Sequence, residues 1–173
     1  MIHFSPAAPF DSTSTTLDQY LENLYQMFLA ELVNKPLYWK TRSTTVSLRR
    51  HEEIAGRHAS FWHLISGGSA TDIERTVEFE RCRRIGWIRP MVEAFNHDYP
   101  SEKNINWWVS PDPRWRGRRY VLATENFEYV LFVEERGSYA LVVTAYFVEI
   151  PRRRNKFKKQ HDDFWEIKQG SPA

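Results

Sequence analysis

Three histidines fall within thirteen residues, at His51, His58 and His63. Imidazole titrates near neutrality, so a histidine held beside a hydroxyl can take its proton and return it. His58 and His63 are five apart, which does not put them on one face of a helix, and the chain has no HExxH stretch. With a single cysteine, Cys82, a thiolate cluster is excluded and the spacing argues against zinc; no metal and no other cofactor is expected. His58 lies in the Gly56-Arg57-His58 stretch, which reads as a loop and puts a cation beside it, so it is the better candidate for a working acid or base. His63 lies in Phe61-Trp62-His63-Leu64-Ile65, which reads as a strand, where a histidine is more often a satisfied, half-buried residue.

Cations are the second chemical signal. The stretch from Arg152 to Lys159 holds six positive charges in eight residues: Arg152, Arg153, Arg154, Lys156, Lys158 and Lys159. A second cluster is Arg114, Arg116, Arg118 and Arg119, interrupted by Trp115 and followed by Tyr120. A third is Arg81, Arg83, Arg84 and Arg89. Such clusters hold phosphates, and interleaved aromatic rings suit single-stranded RNA. Any one cluster alone reads more simply as a solvated face balanced by Glu and Asp. Two of them flanking one predicted sheet favour a polyanionic partner.

Thr144 and Tyr146 are two apart on a predicted strand and therefore share a face. Arg136 marks the tip of the hairpin before them. Hydroxyls with Arg and Lys nearby can hold a phosphodiester; the competing reading puts Tyr146 in the core and makes Thr144 a mere β-former. Cleaving RNA without a metal needs a base on the 2′-hydroxyl, cations on the developing phosphorane and an acid on the leaving oxygen. Histidine, Arg/Lys and Tyr supply all three. A P-loop, a GxSxG elbow and a GxGxxG turn are absent, which disfavours the enzyme classes built on them.

The elements that must position these groups follow from periodicity. Residues 1–15 read as a flexible leader, polar and Ser/Thr-rich, without the basic and apolar regions of a signal peptide. From Thr16 to Asn34 the apolar spacing predicts a helix with Thr16 as cap, closed before Pro36. Thr44–Leu48 and residues 61–65 read as strands, and Thr71 to about Arg89 as a second helix; Pro90 either kinks it or starts the next turn, which carries Met91, Val92 and Phe95. The later half predicts a short strand near Trp107–Val109. A meander over Tyr120–Thr124, Phe127–Glu134 and Tyr139–Ile150 follows, the last pair joined at Arg136-Gly137-Ser138. Pro151 ends it, and Arg152 to Lys168 is a basic tail with helical character. Helices first and a meander last is an α+β pattern, not the alternation of a doubly wound fold.

The 173 residues suffice for one domain, placed at 16–168, with 169–173 as a tail. A net charge of +2 excludes a tail-driven polycation, so charge placement matters more than its sum. Aromatics at 15% allow a sizeable core but also suit base stacking. No apolar run approaches the ~20 residues of a membrane helix. One cysteine fits a reducing compartment, and a cytoplasmic location is expected.

Three stretches together resemble the phage Barnase–EndoU–colicin–RelE-like (BECR) nucleases over about residues 44–162. They are Gly56-Arg57-His58-x-x-Phe61-Trp62-His63-Leu64, then Arg81-x-Arg83-Arg84-Ile85-x-Trp87-Ile88. The third runs from Tyr129 through Arg136 to Tyr139-x-Leu-x-Val-Thr144-Ala-Tyr146 and the basic tail. The resemblance implies N-terminal helices packed on one face of a curved antiparallel sheet, and metal-independent cleavage of RNA by a toxin-type enzyme. It implies His58 or His63 as general acid/base, Arg57 and Arg136 stabilising the phosphate, and Thr144 and Tyr146 positioning it. It also implies a cognate antitoxin or immunity protein covering the basic face. Two other readings use the same residues: a non-catalytic nucleic-acid-binding module, and a protein-interaction or inhibitor protein with exposed Trp and Arg as hot spots. The sequence leaves the oligomeric state open.

Overall fold

The computed structural model describes residues 2–48, 52–67, 76–112 and 117–170. Helix α1 (Leu17–Phe28) starts where the Thr16 hydroxyl accepts the Gln19 amide at 3.2 Å, and it buries Leu21, Leu24 and Phe28. A π-helical turn (Leu29–Val33) carries the chain to Asn34. Strands β1 (Tyr38–Trp39) and β2 (Thr44–Leu48) follow, joined through Ser43 in the left-handed region at φ 50°. A small hairpin of β3 (Glu53–Ile54) and β4 (Arg57–His58) turns at Ala55-Gly56, both at positive φ. Next come α2 (Ala59–Ile65), the single turn α3 (Phe79–Cys82), a 3-10 turn (Ile85–Trp87) and α4 (Ile88–Asp98). Strands β5 (Asn106–Val109), β6 (Arg119–Ala123), β7 (Tyr129–Arg136) and β8 (Tyr139–Phe147) form the meander, and α5 (Pro151–Gly170) closes the chain.

The fold is α+β, with the N-terminal helices on one face of a curved six-stranded sheet in the order β1-β2-β8-β7-β6-β5. The sheet is mixed rather than antiparallel throughout: β2 joins β8 in parallel, Val46 to Ala140 through Leu48 to Val142. The chain between β2 and β8 contains α2 and α4, which with α1 cover the inner face, and a parallel partner needs such a long crossover. The β7–β8 register shifts between Phe132 and Val133, leaving Val143 of β8 as the extra residue. Gly137 at φ 48° lets the two-residue loop Gly137-Ser138 close that hairpin tightly.

Three expectations need correction. Residues 61–65 are helical, because Phe61, Leu64 and Ile65 at i, i+3 and i+4 all face the core; a five-residue apolar run does not by itself distinguish strand from helix. The helix predicted over 71–89 is not continuous among the described residues. Residues 71–75 lie outside the described residues, Val77 bridges to Ser66, and α3 begins at Phe79. Pro90 sits in the first turn of α4, where its missing N–H has no intrahelical acceptor to lose. Residues 2–10 are docked, not a loose leader. Trp87 donates to the Ser5 carbonyl at 3.0 Å, Ala7 exchanges bonds with Arg83, and Phe10 stacks on Phe79 at 5.3 Å. The basic tail has the helical character expected of it: it is a 20-residue helix begun by Pro151 at its favoured first position.

Candidate functional site

Alternation along the strands gives the sheet two unlike faces. The inner face carries Tyr120, Leu122, Leu131, Val133, Val142 and Ala145, all buried against α1, α2, α4 and β1. Trp39 stacks on Phe95 at 4.5 Å there, and its indole donates to the buried Glu135 at 3.1 Å. The outer face carries Trp108, Val121, Ala123 and Val130, closed by Phe157 and Phe164 of α5. Farther from β5 the cover stops, and Phe132, Thr144 and Tyr146 are only half-buried. Phe132 pairs with Thr144 across the strands, and its ring lies parallel to that of Tyr146, 5.9 Å away and inclined by 17°.

Three helices bring chemistry to this open part. Strand β8 outruns β2, whose last partner is Val142. The next carbonyl, Val143, meets the His63 ring nitrogen Nε2 of α2 at 2.8 Å. A carbonyl only accepts, so Nε2 carries the proton and Nδ1 is the basic atom of the neutral ring. Helix α3 sets the Arg81 guanidinium over the Tyr146 ring, 5.5 Å from its centroid, and holds it through Glu78. Burial pushes the Tyr146 phenol above its ordinary value, and Arg153 of α5 and Arg81 pull it only partly back, so it stays protonated at neutral pH. From Val143 to Tyr146 is about 10 Å along the strand. His63, Thr144, Tyr146 and Arg81 are thus ranged along one stretch of β8, with Arg153 of α5 acting on the Tyr146 phenol.

The remaining residues singled out by sequence lie elsewhere or are engaged. Arg57 pairs with Glu22 at 2.9 Å and sits 5.6 Å from the Trp62 ring centroid; His58 packs against Tyr25 and Phe28 of α1. Those contacts put both on the α1 side, apart from the Thr144–Tyr146 stretch. Arg119 and Arg136 share the carboxylate of Glu134. Burial raises that carboxyl, but the two arginines outweigh it and hold it below its usual range. Arg119 is itself buried in that pair, so it is a structural cation and not an open phosphate contact. Arg118 is exposed, with its guanidinium 5.3 Å from the Tyr120 ring centroid. Arg154 is held by Glu128 at 2.7 Å, Lys158 by Asp162 and Lys159 by Asp163. That leaves Arg152, Arg153 and Lys156, exposed and without a carboxylate partner among the described residues. Their spacing sets them on one flank of α5. Arg114 and Arg116 lie outside the described residues.

Two residues of the site were not selected by sequence. Arg81 was visible in its cluster, but nothing distinguished it from Arg83, Arg84 and Arg89. Phe132 carries no sequence signal, because its place beside Thr144 depends on the register of β7 on β8. Among the described residues no helix is long and apolar enough to cross a membrane, and no three His, Cys, Asp or Glu side chains cluster in a metal-holding arrangement. No protein-family model, curated protein or solved structure matches this chain.

Proposed function

We propose that this protein is a metal-independent endoribonuclease of the toxin type, working on the open part of the outer sheet face. The observation that carries the reading is the His63–Val143 bond, which fixes an imidazole to the strand that bears Thr144 and Tyr146. In the proposed step His63 Nδ1 takes the proton of a ribose 2′-hydroxyl, and the 2′-oxygen attacks the adjacent phosphorus. The bond from phosphorus to the 5′-oxygen breaks, and that oxygen takes the Tyr146 proton. The products are a 2′,3′-cyclic phosphate and a 5′-hydroxyl end. Arg81 and Arg153 face the charge that develops on the phosphorane, and the Thr144 hydroxyl orients it. Arg152 and Lys156 extend the cationic border along the strand's path. The α5 helix supports a polyanionic partner in a second way: its first turn holds arginines and no acid, against the helix dipole, an arrangement that a bound anion relieves. The same resemblance to the BECR nucleases makes an inhibitor protein covering this basic face part of the proposal.

The test is cleavage of total tRNA and rRNA in EDTA, and of RNA on translating ribosomes, by wild type, His63→Ala, His58→Ala and Tyr146→Phe. Discrete fragments ending in cyclic phosphate are expected from wild type and His58→Ala, and lost in His63→Ala and Tyr146→Phe. Loss in His58→Ala alone moves the site to the α1 side. Intact RNA with retained binding favours the non-catalytic module, which the half-open aromatic pair Phe132–Tyr146 beside unpaired cations also suits.

A further inference from the structure

Phe132 is an apolar ring left half-buried on a face where its neighbours are either closed off by α5 or polar. It is held firmly. Strand β7 is paired on both sides at this point, to Val121 of β6 and Thr144 of β8. Phe157 of α5 meets it edge-on at 6.2 Å, and Tyr146 lies parallel to it. The register shift beside it adds local twist, which re-aims side chains at a bulge. Cations stand by this aromatic pair: Arg81 lies over the Tyr146 ring, and Arg153, from the exposed Arg152–Arg153–Lys156 flank of α5, is near enough to act on the Tyr146 phenol.

A rigid ring beside cations, of which Arg153 has no carboxylate partner among the described residues, matches one kind of ligand, a base that can leave its own stack while its phosphates meet the cations. We infer that Phe132, with Tyr146 beside it, is the floor of a subsite for an unpaired nucleobase, so that the site takes single-stranded and not duplex RNA. The inference rests on the ribonuclease reading and names its substrate class. A duplex keeps its base faces stacked and presents only backbone and groove edges, so it engages the cations without the ring. Phenylalanine has no hydrogen-bonding group, so the subsite accepts any base and selects strandedness over sequence.

The test is fluorescence anisotropy with a labelled, non-cleavable 2′-O-methyl 12-mer, offered as a single strand, as a duplex and as a single strand with one abasic position. Wild type is expected to bind the intact single strand about ten-fold or more tighter than either of the others. Phe132→Ala should lose that preference and Phe132→Trp keep it, with thermal melting confirming that both fold. Charge reversal of Arg152, Arg153 and Lys156 should weaken single strand and duplex alike. Equal binding of single strand and duplex by wild type, or an unchanged preference in Phe132→Ala, overturns the subsite. The cleavage assay separates the two ideas. Cleavage without single-strand preference sinks the subsite alone; single-strand preference without cleavage sinks the nuclease and leaves the subsite standing.

Discussion

The two faces of the sheet are built from the same strands, of two to nine residues, yet they differ in how completely they are covered. The inner face meets the helices α1, α2 and α4, and the large rings of that layer, Trp39, Phe95, Trp107 and Tyr120, are wholly enclosed. The outer face meets one helix. Helix α5 lies by the β5 edge, where the Trp165 indole takes the Trp107 carbonyl at 2.9 Å and His161 reaches Glu102 at 2.6 Å. One helix, roughly 10 Å across, cannot cover six strands spaced about 4.8 Å apart. The uncovered strip is where Phe132, Thr144 and Tyr146 stay half-buried, and where His63 and Arg81 arrive from the β8 side. Burial makes the inner face a source of stability; incomplete burial makes the outer face available for binding.

That contrast can be tested by damaging each face in turn. The largest expected effect on stability is from the inner face: Phe95→Ala should cost about 3–5 kcal/mol by denaturant unfolding. A loss below about 1 kcal/mol would mean the inner face is not the main core. On the outer face Tyr146→Phe should leave the unfolding midpoint nearly unchanged while cleavage falls by about a hundred-fold. Comparable losses in both measurements would make Tyr146 a packing residue like Phe95. Reversing Arg152, Arg153 and Lys156 should reduce the slope of log affinity against log salt for a single strand by about 2, from roughly 0.7 per lost phosphate contact. An unchanged slope would place the nucleic acid elsewhere.

The smallest effect concerns how α5 is held. Burial opposes charge on His161, but the carboxylates of Glu102 and Asp162 outweigh it, so its folded-state value is raised. Trp108 and Phe127 pack on its ring edge-on, and Lys158 neutralises part of Asp162. A raised value means the imidazolium stabilises the fold in full below the ordinary histidine range, and that contribution is lost as pH rises through the folded-state value. Melting temperature should therefore decline across that window in wild type and stay flat in His161→Gln. A decline of equal size in both proteins would assign the pH dependence to another group.

Much of the scaffold was legible because it rests on local rules. Thr16 caps α1 as its hydroxyl and position require, β2 forms where Thr44–Leu48 reads as strand, and the meander turns at Gly137 where a positive φ is needed. The site was legible only in part. Thr144 and Tyr146 were placed on one face correctly, since period 2 decides that within a strand. His63 falls in a stretch that reads as strand and ranks behind His58 as a working group, because Phe61–Ile65 is too short a run to reveal its helical period. Arg57, Arg136 and Arg119 were read as phosphate contacts, but each lies beside a carboxylate, Glu22 or Glu134, that sequence distance hides.

The sequence by itself determined residue chemistry, secondary-structure periods within the longer elements, and the concentration of positive charge after Pro151. Tertiary structure decided which of those charges remain unpaired, that β2 joins β8 in parallel, and that α2 and α3 deliver His63 and Arg81 to the end of β8 beyond β2. The reason is range. A cap or a strand face depends on neighbours a few residues away, whereas an ion pair such as Arg57–Glu22 or a contact such as His63–Val143 joins residues far apart along the chain, and only packing brings them together.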